Sequence, residues 1–169
     1  SLPHASKSLG SPVVLVWPGD PAIDADAWGS EAAANYMTSL ITADRALPMP
    51  PEKPGEKATR ITLAPLGYDA YLHAMHLQRV SQYSDAYDDP EVIRHVLRHS
   101  LVDLDGAYYE DDHGQHPIRI EQDHGPFGRR ITDACWSDYI GPFLDPGVRM
   151  ALASWSVQFS VERLLRSRK

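Results

Sequence analysis

Between Arg94 and His116 the chain reads RHVLRHSLVDLDGAYYEDDHGQH, a stretch with four histidines and five carboxylates. Imidazoles and carboxylates are the side chains that hold divalent metals and move protons near neutral pH. His95 and His99 stand four apart on an expected helix, the spacing at which two imidazoles can grip one ion. Helical phase argues against that use. With Ile93 facing the core, the two rings lie about 200° and about 240° round the axis, toward solvent. Arg94 and Arg98 flank them, and no HExxH glutamate accompanies them. The expectation is a solvated or interface face. His73 and His76 form a second pair, and His76, beside an apolar stripe, reads as a partly buried histidine bonded to a neighbour.

A second set lies further on. Asp111, Asp112, His113, His116 and His124, with Glu110 and Asp123 nearby, could give oxygen and nitrogen ligands to a divalent ion. The preferred reading is a polar hairpin tip that keeps a strand edge from pairing wrongly. A calcium-loop register over VDLDGAYYEDD fails. With Gly106 on the loop glycine, Leu101 falls at the first ligand position and Asp112 replaces the bidentate glutamate. No GxSxG elbow is present, and Cys135, between Ala134 and Trp136, reads as a small core residue. Neither GxxxxGK nor GxGxxG occurs, so no phosphate-cradling loop is legible. A metal-dependent hydrolase using the 103–124 region remains the alternative function, and no cofactor is expected.

The elements that would position these groups follow from periodicity and punctuation. Val13 to Trp17 is a short β-type run closed by Pro18-Gly19. A helix follows, capped by Ser30, with Ala33, Met37, Leu40 and Ile41 on one face. Pro48 to Lys57 holds four prolines and suits an extended connector. This divides the chain into an N-terminal arm, 1–57, and a compact body, 58–169. The body opens on a half-buried strand around Ile61 and Leu63. A helix from about Gly67 to Tyr83 would bury Tyr68, Leu72, Met75, Val80 and Tyr83. Asp89-Pro90-Glu91 starts the next helix, with Ile93, Val96, Leu97 and Leu101 as its core face. Asp105-Gly106 signals a hairpin turn, HPIRIE a strand and HGPFGRR a loop. Thr132 caps a short helix that Gly141-Pro142 should end. The last helix starts at Asp145-Pro146 and buries Val148, Leu152, Trp155 and Phe159. The fold class is α+β: three or four helices packed with a small, mostly antiparallel sheet.

Bulk properties narrow the function classes. A chain of 169 residues with 43% apolar content can bury a real core. A net charge of −7 argues against a general nucleic-acid binder, which needs a basic face. One cysteine cannot build an internal disulfide framework. The opening SLPHASKSLG lacks a signal-peptide core, and no apolar run approaches bilayer length, so a soluble protein made in a cytoplasm is expected.

The order RITLAPLGYDAYLHAMHLQ, DDPEVIRHVLRHSLVDLDG, GRRITDACWSDYIGPFLDPGVRMALASWSVQFS resembles the small morphogenesis proteins of tailed bacteriophages, the tail-assembly group in particular. The shared features are a strand of R-x-T-L-x-P-L type before a helix, a helix ending in L-V-D-x-D-G, and a terminal amphipathic helix. They cover residues from about Thr59 to Ser160. The resemblance implies a non-enzymatic phage structural or assembly protein, in the virion or in the host cytoplasm during assembly. Its partners would be other phage structural proteins or further copies of itself, with neither nucleic acid nor membrane as the main ligand. The residues suited to partner contacts are Val14, Val16, Trp17 and Trp28 of the arm. The cationic tail, Arg163, Arg166 and Arg168, could meet an acidic surface, or could simply match the helix dipole. The arm could equally fold back on its own body.

Overall fold

The computed structural model describes residues 11–42 and 47–167. It is an α+β protein whose central layer is a three-stranded antiparallel sheet in the order β1-β2-β3. These strands are Val13–Val16, Arg60–Leu63 and Leu101–Asp105. Register pairs Leu15 with Ile61 and Ile61 with Leu104, so all three stand on one face. That face is buried, as strand alternation requires. β1, from the segment expected to be an arm, is therefore an edge strand of the body's own sheet.

The helices cover this sheet. α1 (Ala25–Trp28) and α2 (Ser30–Thr42) follow β1, and α2 buries Tyr36 and Leu40. The Tyr36 hydroxyl accepts a bond from the Val16 N–H. α3 (Tyr68–Val80) and α4 (Pro90–Ser100) pack against each other, and α5 (Pro146–Ser167) crosses α4 and α2. Asp89 caps α4 as expected, its carboxylate accepting from the Glu91 N–H at 3.0 Å. Leu152, Trp155 and Phe159 of α5 are buried, with Val148 half-buried beside them. Ser100, Ser156 and Ser160 let these helices approach closely. The Ser160 hydroxyl donates to the Ser156 carbonyl oxygen at 2.7 Å and accepts from the Leu66 N–H at 2.9 Å.

Several local expectations need correction. The proline-rich connector, expected to be extended, is held by hydrogen bonds on both sides. Asp24 and Lys53 N–H groups bond the Pro51 and Ala22 carbonyls, and the Glu52 carboxylate grips both the Ala58 N–H and the Arg60 guanidinium. Asp105-Gly106 is a turn, with Gly106 at a φ of 91° that a side chain would strain, but the strands on either side do not pair. β3 belongs to the central sheet, entered directly from α4 at Leu101, while β4 (Tyr108–Asp111) pairs with β5 (Gly114–Pro117). HGPFGRR is no loop: β6 (Gln122–Gly125) and β7 (Gly128–Ile131) form a hairpin turning at Pro126-Phe127. The Thr132-capped helix does not end at Gly141-Pro142. It widens into a π-helical turn, Trp136–Ile140, and continues to Phe143.

Candidate functional site

The β6–β7 hairpin changes the reading of the histidines. Its turn carries Phe127 onto the face of α4 that helical phase had assigned to solvent. Phe127 stacks on His73 of α3, centroids 4.0 Å apart and nearly parallel. His95 meets His73 at 4.7 Å edge-on and His99 at 4.5 Å. His95 is only 8% exposed, and it was expected outside. Helical phase alone gives α4 one buried side. In fact α5 covers one side and α3 with the hairpin covers the other, so α4 is enclosed on both.

Hydrogen bonds assign the tautomers. His95 Nε2 lies 2.8 Å from the Ala70 carbonyl oxygen, and His99 Nδ1 lies 2.7 Å from the His95 carbonyl oxygen. A carbonyl oxygen only accepts, so His95 carries its proton on Nε2 and His99 on Nδ1. Burial disfavours the imidazolium form of all three rings. It brings His95 down to about 4 and lowers His99 and His73 below the usual histidine value. Arg98 adds repulsion on both His95 and His99. The cluster is therefore neutral at pH 7.

Beside it runs a cleft of about 210 Å³, lined by these histidines, by Phe127 and Leu77, and by Arg94, Arg98, Arg130 and Glu91. Arg98 donates through Nε to the Ile131 carbonyl at 2.8 Å and pairs through Nη1 with Asp133 at 2.7 Å. Arg130 Nε pairs with Asp123 at 3.0 Å. Two buried atoms, Arg98 Nη2 and His99 Nε2, find no hydrogen-bond partner among the described residues. Sequence reasoning missed Phe127, Arg98 and Arg130. The one available signal was the two-residue gap between Gly125 and Gly128, a hairpin spacing.

The set weighed as metal ligands disperses. Asp111 accepts from the His113 N–H at 2.8 Å and pairs with His116 Nε2 at 2.9 Å. His116 lies against the Tyr109 ring, Asp112 is exposed at the turn, and His124 stands on the other hairpin. Among the described residues no three His, Cys, Asp or Glu side chains gather as a metal ion would need.

The residues expected to meet partners also divide. Val16 is buried, and Trp17 and Trp28 are half-buried against the chain's own core, Trp28 edge-on to Tyr36 at 5.3 Å. Val14 is exposed. The Arg163 guanidinium sits 4.8 Å from the Phe159 ring centroid. Arg168 and the Arg166 side chain lie outside the described residues.

A different surface presents apolar groups. α3 was expected to bury its large residues, but it turns Ala70 and Ala74 inward. Tyr68 is 67% exposed, Leu72 46% and Val80 52%, and Tyr83 just beyond the helix is 50% exposed. Met75 alone of the expected stripe is half-buried. Small residues let α3 lie close to α4, and the large ones have no room on that side.

No family model, curated protein or solved structure matches the chain. Among the described residues no helix is long and apolar enough to cross a membrane.

Proposed function

We propose that this chain is a non-enzymatic structural or assembly protein of a tailed phage, working through protein–protein contacts. The observation that carries the reading is the outward face of α3. A row of large apolar side chains facing water on an ordered helix is the signature of a surface made to be covered. The order along the row, Tyr68, Leu72, His76, Val80, Tyr83, is nearly palindromic in type. An antiparallel second copy would set aromatic beside aromatic and aliphatic beside aliphatic about a two-fold axis, as an isologous contact needs. One helix face is a small contact, which repetition within an assembly multiplies.

The test is the native mass of the full chain by light scattering, beside Leu72→Glu. The wild type is expected as a dimer or larger and the variant as a monomer with unchanged circular dichroism. A monomeric wild type, or an unchanged oligomer in the variant, overturns the role of α3. Mass spectrometry of particles and assembly intermediates of a phage encoding the chain tests the setting, and the chain's absence from both overturns it.

A further inference from the structure

We infer that the cleft between α3, α4 and the β6–β7 hairpin binds a phosphate group, free or as a monoester. Three guanidinium groups, Arg94, Arg98 and Arg130, line one small cleft in a chain of net charge −7. Planar guanidinium forks suit oxyanions, which they meet with several charge-assisted bonds. Three carboxylates stand by the cleft or pair with its arginines. Asp133 takes Arg98 Nη1 and Asp123 takes Arg130 Nε, while Arg98 Nη2 is left unpartnered. Glu91 also stands at the lining.

The acceptor beside the donors selects among anions. His99 spends its only proton on the His95 carbonyl, so its buried Nε2 is a bare lone pair without a partner. A ligand serving both groups needs anionic oxygens for the guanidiniums and an O–H for the imidazole. Inorganic phosphate has both at neutral pH and a monoester has both in its singly protonated form, which its second pKa of about 6 keeps within reach, whereas sulfate and a carboxylate lack the O–H. The volume of about 210 Å³ suits a tetrahedral anion and is below that of drug-sized pockets. Arg98 Nη2 and His99 Nε2 are covered by their neighbours. The anion therefore meets Arg94 and Arg130 first and draws the deeper pair toward it by a rotamer-scale shift.

The experiment titrates the full chain with inorganic phosphate, phosphoserine, sulfate and acetate by calorimetry at neutral pH, while NMR follows the His99 imidazole. Saturable phosphate binding is expected, with a shift of the His99 ring and clearly weaker sulfate and acetate. Arg94→Gln and Arg130→Gln, checked for folding by circular dichroism, should each weaken it about tenfold or more. Phosphoserine binding as tightly as phosphate identifies an ester as the source, and its exclusion identifies the free anion. Absence of saturable phosphate binding, equal affinity for sulfate, or binding unchanged in both variants overturns the assignment.

Discussion

The indole N–H of Trp155 donates to the main-chain carbonyl oxygen of Met37 across 2.8 Å. This joins α5 to α2, and with the β1–β2 pairing it ties residues 13–42 to the body's core. Trp155→Phe retains an aromatic ring to stack on Phe159 but removes the donor, leaving the Met37 carbonyl with its bond inside α2 alone. The expected loss for the missing bond is about 0.5–1.5 kcal/mol in urea unfolding. A variant within a few tenths of the wild type would mean that the Met37 carbonyl finds water instead.

Ser160→Ala tests a second long-range tie. The hydroxyl accepts from the Leu66 N–H at a fully enclosed point between α5 and the β2–α3 connection. Removing it leaves that N–H without its acceptor, at a cost of about 1–3 kcal/mol. Ser154→Ala is the control at the more open Ser154–Gln158 pair of the same helix and should be close to neutral. Equal losses for the two would remove any special role for Ser160.

How much of this was legible before the structure depended on what decides each feature. Local chemistry decided the Asp89-Pro90 start of α4, and a strong 3.6-residue period decided the buried face of α5. Both could be read directly. The facing of α3 could not, because periodicity locates an apolar stripe without saying which side the neighbour lies on. Ala70 and Ala74 won the core by being small. His95 was misplaced for a related reason: one helix turned out to have two covered sides, the second supplied by a hairpin hidden in a glycine-rich stretch. The dispersal of Asp111, Asp112, His113, His116 and His124 is a matter of hairpin pairing, which composition does not encode.

Glu52 should govern the proline-rich segment. Its bonds to Arg60 and to the Ala58 N–H hold its carboxyl down to about 2, so the clamp is intact above the ordinary carboxylate range and is lost as pH falls toward 2. Glu52→Gln should free the chain around Ala58 at neutral pH. Limited trypsin digestion would show this as faster cleavage after the exposed Lys57. An unchanged digestion rate would assign the pinning to the Ala22–Lys53 and Asp24–Pro51 main-chain bonds alone.

His95 gives the fold an acid limit well above that of Glu52. Its value falls from the usual 6.5 to about 4 because burial opposes the charged ring, with repulsion from His99, His73 and Arg98 adding to it. The unfolded chain therefore binds a proton at a pH where the folded one does not. The stability due to neutral His95 is complete above about pH 6.5 and declines as pH falls toward 4. The full decline from this residue is about 3 kcal/mol, with smaller losses of the same sign from His99 and His73, whose values are also lowered. Urea midpoints measured from pH 7 to pH 4 should fall, and His95→Gln should flatten the slope while lowering stability at pH 7. A wild-type profile already flat across this window would mean that the His73–His95–His99 cluster opens to water and titrates as it does in the unfolded chain.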